Sequence, residues 1–232
     1  MPTLTESPIT FDKSEIQNIL GAVVDEAQKL GFERQIGNIV VAGGGALCLK
    51  NVRDTSQDLD VYLPVDLQAL TDRVEARFPG LVIDVTTDDR FWGRIHTSRP
   101  LLEPLAVTGR DGTSQYHMRV LSMEELFIRK GADSCREKDI QDLARIAPHT
   151  TPERIVSAFR ALIGTNDRWE MRELADILLS ELSATYGKPV TRELVEGLGF
   201  PKKETSEMLQ YWGLDRDKDK SGKNRGDAFE RE

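Results

Sequence analysis

Cysteine and histidine are both scarce in this chain. Its 232 residues include two cysteines, Cys48 and Cys135, and three histidines, none of which stands in a Cys-x-x-Cys or Cys/His spacing. Those spacings are what zinc sites and dithiol redox motifs require. We therefore expect no zinc site, and two thiols without a metal or disulfide role in a reducing compartment.

Long apolar runs are missing as well. No stretch approaches the roughly 18 apolar residues that a membrane-spanning helix needs. The first residues, MPTLTESPITFDKSE, lack the basic start and the apolar core that a secretory signal contains. These absences predict a chain without membrane association and with a cytoplasmic location.

An excess of positive charge is absent too. The chain has 31 Lys and Arg against 39 Asp and Glu, which gives a formal net charge of -8. This balance argues against a protein that coats nucleic acid nonspecifically, although it is compatible with a local basic groove. Hydrophobic residues at 39% and charged residues at 30% are typical of a folded protein, long enough here for one core and a smaller second unit.

What the chain does contain is organised around residues 39–63, IVVAGGGALCLKNVRDTSQDLDVYL. The pattern predicts an apolar strand over 39–42, a turn at glycines 43–45, a short helix or loop, and a second strand that carries Asp58 and Asp60. Side chains on a strand repeat their direction every second residue. The two aspartates are therefore expected on one face, about 6.7 Å apart along the strand.

Two carboxylates on one face of an apolar strand repel each other. At an effective dielectric constant of about 20, two negative charges about 7 Å apart repel by roughly 2 kcal/mol. Such a cost persists only where something cationic offsets it, and a divalent metal ion is the simplest candidate.

The spacing of these residues resembles a known family. The matching blocks are Gly44-Gly45-Ala46-Leu47, Arg53-x-Thr55-x-x-Asp58-Leu59-Asp60-Val61, Leu121 to Leu126 through Lys130, and Arg136-x-Lys138-Asp139-x-x-Asp142-Leu143. In this order, over roughly residues 36 to 147, they resemble the nucleotidyltransferase superfamily of the DNA polymerase beta type. The similarity is strongest to the branch that includes abortive-infection and type IV toxin-antitoxin nucleotidyltransferases.

The resemblance implies a catalytic metal site. Asp58 and Asp60 would hold Mg²⁺, with two ions expected and Mn²⁺ as a substitute. The family also calls for a third carboxylate, which would complete the metal site and draw the proton from the attacking hydroxyl. Asp84 in the next predicted strand is the first candidate for it, and Asp88 and Asp89 at the end of that strand are the alternatives.

The resemblance also implies a nucleotide site. The expected nucleotide-binding residues are Gly44, Gly45, Arg53, Thr55, Lys130 and Asp139. The glycines would cradle the phosphates, while Arg53 or Lys130 would add positive charge. Asp139 would orient Lys130 or the acceptor. Thr55 would hydrogen-bond an aspartate or a phosphate oxygen, and a plain turn-forming role is an equally open alternative for it. Asp142 is expected only to cap its helix or to pair with Arg145.

The function implied is Mg²⁺-dependent transfer of a nucleoside monophosphate from an NTP to a hydroxyl acceptor. The acceptor would be RNA, with tRNA as the first candidate, or a protein. The setting would be a toxin-antitoxin or phage-defence system, in which a cognate antitoxin or regulatory protein is a possible partner. One alternative is an antibiotic-type enzyme that modifies a small molecule. Another is a non-enzymatic interaction protein that retains the fold, against which the intact aspartate pair argues.

The expected fold class is α/β, with a short mixed sheet, flanking helices and a helical C-terminal unit. Residues 1–148 would form the nucleotidyltransferase domain, residues 149–214 an all-helical domain, and residues 215–232 a disordered charged tail. Capping boxes at Asp12 and Ser122 mark the beginnings of two helices. The basic and aromatic segment over residues 90–99 could stack a base or hold an acceptor, the alternative being a solvated loop. A strand over 105–108 is expected to form a hairpin with one over 116–121.

Overall fold

The computed structural model describes residues 9–63, 68–86, 99–132 and 136–215. The strands within them are β1 Phe11–Asp12, β2 Val40–Val41, β3 Thr55–Ser56, β4 Asp58–Tyr62, β5 Val82–Thr86, β6 Leu102–Thr108 and β7 Gln115–Leu121. Five of these strands form a mixed sheet in the order β5-β4-β2-β7-β6, and the two short strands β1 and β3 pair separately. The predicted mixed α/β class is confirmed.

Strand β2 occupies the middle of the sheet. Both of its residues are buried, and it pairs antiparallel with β4 and parallel with β7. A strand covered on both faces is expected to be continuously apolar, as this one is. Beyond β4 lies β5, which runs parallel to it at the edge of the sheet. Strands β6 and β7 form the predicted hairpin on the other side, longer at both strands than expected.

Helices surround the sheet and continue beyond it. They are α1 Lys13–Lys29, α2 Gly43–Leu49, α3 Gln68–Glu75, α4 Met123–Ala132, α5 Glu137–Ile146, α6 Pro152–Ile163, α7 Arg168–Tyr186, α8 Arg192–Gly197 and α9 Lys202–Tyr211, with 3₁₀ turns at Glu33–Asn38, Arg99–Leu101 and Ala147–His149. The capping box of α1 is confirmed, because the Asp12 side chain accepts from Glu15 N–H and the Glu15 carboxylate accepts from Asp12 N–H. At α4, Ser122 Oγ accepts from Glu125 N–H at 3.1 Å, which confirms that side of the second capping box.

The glycine triplet differs from its prediction. Gly43, Gly44 and Gly45 form the first turn of α2 instead of a separate turn after β2. Gly43 enters this helix with a φ of 54°, a left-handed conformation that glycine adopts without steric cost. Burial of the whole helix against the sheet overrides the weak helix propensity of three successive glycines.

One apolar core runs through the described residues. Helix α4 packs against α5 and also against α6 and α7 of the C-terminal helices. Its residues Leu126, Phe127 and Ile128 are fully buried, and the Phe127 ring lies 6.1 Å from that of Tyr186 in α7. The C-terminal residues are helical as predicted and form α6 to α9, and the domain boundary near residue 148 stays a prediction.

Some predictions fall on residues outside the described ranges. They concern Asp88 and Asp89 as alternative carboxylates, residues 90–98 as a basic and aromatic segment, and residues 216–232 of the expected disordered tail. Among the described helices, none combines the length and the apolar character that a membrane span requires.

Candidate active site

The register of β4 and β5 brings three aspartates to one face of the sheet. Asp60 lies directly opposite Asp84 across the parallel pair, and Asp58 lies opposite Val82. Residues paired across neighbouring strands project from the same face, as do residues two apart on one strand. Asp58, Asp60 and Asp84 therefore share a face, which we call the acid face. Leu59, on the opposite face of β4, is buried in the core.

The three carboxylates differ in their exposure to solvent. Asp60 is 3% exposed, whereas Asp58 is half-buried and Asp84 is exposed at the edge of the sheet. Ser56 Oγ donates a hydrogen bond of 3.2 Å to Asp58 Oδ1. The hydroxyl of Ser56 thus contacts an aspartate. Thr55 lies opposite Asp12 in the backbone pairing of β1 and β3, and its predicted role stays a prediction. The two-residue spacing of Ser56 and Asp58 could have predicted this contact, because side chains two positions apart on an extended chain point the same way.

Asp60 is held against the first turn of α2. Gly44 N–H donates a hydrogen bond to its carboxylate, and a Cβ atom on Gly43 would lie 1.6 Å from Oδ2. The other oxygen, Oδ1, is buried and has no hydrogen-bond partner. Burial, followed by the charges of Asp58 and Asp84, raises the pKa of Asp60 from 3.8 to about 8, against the opposing effects of Lys130 and Gly44.

The acid face fits a divalent cation in its donor chemistry. Carboxylate oxygens are the ligands that Mg²⁺ prefers, and a buried carboxylate oxygen without a partner is costly unless something positive binds it. Asp60 Oδ1 is such an atom. The side chains do not form a preassembled cage, however, because no group of three or more His, Cys, Asp or Glu in the described ranges converges closely enough to hold a metal ion.

A cluster of buried ion pairs borders the acid face. Lys130 of α4 donates a hydrogen bond of 2.7 Å from Nζ to Asp139 Oδ1, and the same Nζ lies 3.3 Å from Asp142 Oδ2. Arg53, which follows α2, places Nη1 3.6 Å from that Asp142 oxygen. Lys130 is close enough to Asp60 for its charge to oppose the rise in the pKa of Asp60.

The two aspartates of α5 are almost completely buried. Asp139 is 0% exposed and contacts both Lys130 and Arg136. Burial acts to raise its pKa, but the hydrogen bonds from these two cations lower it below the usual value of 3.8. The contact with Lys130 is the one expected of a residue that orients this lysine. Asp142, 1% exposed, pairs with Arg145 at 3.4 Å as predicted, but its contacts with Lys130 and Arg53 were missed.

The glycines of α2 allow this helix to pack closely against its neighbours. A Cβ atom on Gly45 would lie 2.8 Å from Leu59 Cδ1, so this glycine lets α2 approach β4 closely. A Cβ atom on Gly44 would lie 2.3 Å from Ser56 Oγ and 3.2 Å from Arg53 Nη1. Both glycines are buried, and these contacts account for their lack of a side chain. Their role in cradling phosphates stays a prediction.

Neither a protein-family model, nor a curated protein, nor a solved structure matches this chain. The family resemblance therefore rests on the motif residues alone. A separate groove of about 520 Å³ lies along α8 and α9, where Arg192, Phe200 and Leu209 are among the lining residues, and it contains none of the predicted site residues.

Proposed function

We propose that this chain is a Mg²⁺-dependent nucleotidyltransferase that moves a nucleoside monophosphate from an NTP to a hydroxyl acceptor. The observation that carries the proposal is the acid face beside Lys130, in which Asp60 has a buried oxygen without a partner. An arrangement with three carboxylates on one face and cations at its border suits an anionic substrate that arrives with divalent metal.

The metal would be held by Asp58 and Asp60, with Asp84 completing the set. Bound there, Mg²⁺ would neutralise the carboxylates and the charge that develops on the triphosphate during transfer. Asp60 is protonated in the metal-free protein below about pH 8, because its pKa is raised to about that value. It must therefore lose its proton before it can act as a ligand.

Asp84 is suited to a second task. It is the exposed member of the acid face, at the edge of the sheet, while its partner across the strands, Asp60, is buried. An acceptor hydroxyl can approach an edge carboxylate without disturbing the core. Asp84 would accept the proton of the attacking hydroxyl, as a general base within hydrogen-bond reach of the acceptor.

The phosphates would be bound by Lys130 and Arg53. Lys130 of α4 acts on Asp60 through its charge, and Arg53 lies beside Gly44, whose amide binds the Asp60 carboxylate. Charge-assisted hydrogen bonds from ammonium and guanidinium groups are stronger than neutral ones and suit phosphate oxygens. Gly44 N–H already binds the Asp60 carboxylate, so the glycine cradle would offer the phosphates fewer amides than the sequence predicts.

The acceptor belongs to the proposal as well. By resemblance it is RNA, with tRNA first, or a protein, in a toxin-antitoxin or phage-defence setting in the cytoplasm. A cognate antitoxin or regulatory protein would fit that setting. A small-molecule acceptor, as in antibiotic-modifying enzymes, is the competing possibility. A labelling experiment distinguishes the three acceptor classes, which are RNA, protein and small molecule.

The experiment is to incubate the purified chain with each α-³²P-labelled NTP, Mg²⁺ or Mn²⁺, and cell extract, then to separate RNA, protein and small molecules. We expect label in one macromolecular fraction with one preferred NTP. Asp58→Asn should abolish labelling, whereas Asp54→Asn, an exposed carboxyl beside the site but off the acid face, should not. Absence of labelling with all NTPs, or equal labelling by Asp58→Asn, would contradict the proposal.

A further inference from the structure

Asp142 of α5 occupies a position that its predicted role does not explain. We infer that Asp142 is a positioning residue that holds Arg53 and Lys130 together as one phosphate-binding pair. The inference rests on the proposed function, since it assigns to these two cations the triphosphate of the NTP. It goes beyond that function by placing their orientation under the control of one buried carboxylate that lies outside the acid face.

The geometry separates the two oxygens of this carboxylate. Oδ1 faces the partly exposed Arg145 at 3.4 Å. Oδ2 lies 3.3 Å from Lys130 Nζ and 3.6 Å from Arg53 Nη1, is buried, and has no hydrogen-bond partner. A buried carboxylate oxygen that faces two cations without hydrogen-bonding either of them holds both by charge.

The two cations come from different parts of the fold. Lys130 belongs to α4, and its charge acts on Asp60. Arg53 follows α2 and lies beside Gly44, whose amide binds the Asp60 carboxylate. Asp142 is therefore the link between two cations that border the same buried carboxylate. Asp139 differs from it, because Asp139 is paired with Lys130 and Arg136.

Cations outnumber carboxylates in the ion pairs that Asp139 and Asp142 make. Two carboxylates, Asp139 and Asp142, face four cations, which are Lys130, Arg53, Arg136 and Arg145. The inner cations are mostly buried, with side chains 13% exposed for Lys130 and 22% for Arg53. Long cationic side chains lose much rotamer freedom when they bind a ligand, so holding them in place beforehand strengthens binding.

The test uses Asp142→Asn in the full-length protein, with magnesium tripolyphosphate as the probe and its affinity measured by calorimetry. The substitution keeps the shape of the side chain and removes a negative charge. Charge alone would then tighten the binding of an anion, because the site becomes more positive. Loss of positioning predicts the opposite, and we expect affinity to fall about fivefold. Unchanged or tighter binding would overturn the inference.

A double substitution checks that Asp142 acts through Arg53. In an Arg53→Gln background the pair to be positioned no longer exists, so adding Asp142→Asn should change the affinity less than about twofold. A further fivefold loss in that background would mean that the substitution damages the fold generally, and it too would overturn the inference.

Glu26→Gln supplies the matched control. Glu26 is 5% exposed and pairs with Lys29, Arg73 and Arg77, so it is a comparably buried carboxylate among cations, set between α1 and α3. Glu26→Gln should lower the melting temperature and leave tripolyphosphate affinity unchanged. If the wild-type chain binds neither tripolyphosphate nor any NTP, the proposed function itself fails. If the wild-type chain binds tripolyphosphate and Asp142→Asn binds it equally well, only the inference about Asp142 fails.

Discussion

Replacement of Asp60 by asparagine should stabilise the metal-free protein at alkaline pH. Asp60 is a buried carboxyl flanked by two others, and its pKa is raised from 3.8 to about 8. In the unfolded chain the same group ionises near its ordinary value. Between these two values the folded state binds a proton that the unfolded state has lost, so the free energy of unfolding falls as pH rises.

The magnitude follows from the width of that window. Each pH unit within it costs about 1.4 kcal/mol, so the three units between about pH 5 and pH 8 reduce the free energy of unfolding by roughly 4 kcal/mol. Asparagine does not titrate and keeps an oxygen that can accept from Gly44 N–H. The stability of Asp60→Asn relative to wild type should therefore increase by about 2 to 4 kcal/mol from pH 5 to pH 9, after allowing for relaxation around the ionised carboxylate.

The assay is urea unfolding in EDTA at pH 5, 7 and 9, with wild type, Asp60→Asn and Asp54→Asn compared at each pH. Asp54 is an exposed carboxyl, so its substitution should not change the pH dependence. Adding Mg²⁺ or Mn²⁺ at pH 9 should restore stability to the wild type and not to Asp60→Asn, because the metal binds the ionised carboxylate. A stability difference between Asp60→Asn and wild type that stays constant across pH would refute this account of Asp60.

Three further predictions address neighbouring features. Gly43→Ala should unfold at lower urea than Gly31→Ala, because both have positive φ but only Gly43 would push a Cβ into Asp60, at 1.6 Å from Oδ2. Lys130→Ala should weaken NTP binding by about 1.5 to 3 kcal/mol in a filter-binding assay, and unchanged affinity would remove Lys130 from the phosphate site. Removal of residues 216–232, which are rich in charges of both signs, should leave the melting temperature and the NTP affinity equal to those of the full-length chain within error. A large loss of either would contradict this prediction.

The sequence was informative where a pattern is local. The alternation of Asp58 and Asp60 against Leu59 follows from the geometry of a single strand, and the structure confirms it through the buried Leu59. The N-cap of α1 is equally local, and its capping box is confirmed. Both depend on residues within four positions of each other, where backbone geometry alone decides which side chains meet.

Features that depend on pairing between distant segments were less accessible. The position of Asp84 required the register of β5 against β4, which places Asp84 opposite Asp60 and which the local pattern does not contain. The resemblance assigns Gly45 to phosphate binding, and that role stays a prediction. Its packing against Leu59 appears only once α2 lies on β4, so the local sequence does not contain it.

The ion pairs of Asp142 also depend on segments that are distant in the sequence. Asp142 was expected to pair with Arg145 three residues later, and it does, but its contacts with Lys130 and Arg53 join α5 to two other parts of the chain. Sequence spacing predicts neighbours along one helix surface and contains no information on what packs against its buried side.

Helix α4 connects the proposed nucleotide site to the C-terminal helices. Gly131 follows Lys130 directly, and a Cβ atom on it would lie 3.6 Å from Glu181 of α7. Helix α4 is also tied to the segment before α6, where Thr150 donates to Glu124 at 2.8 Å. The packing of α7 therefore supports the backbone that carries Lys130. The position of this lysine thus depends on helices that contain none of the proposed site residues.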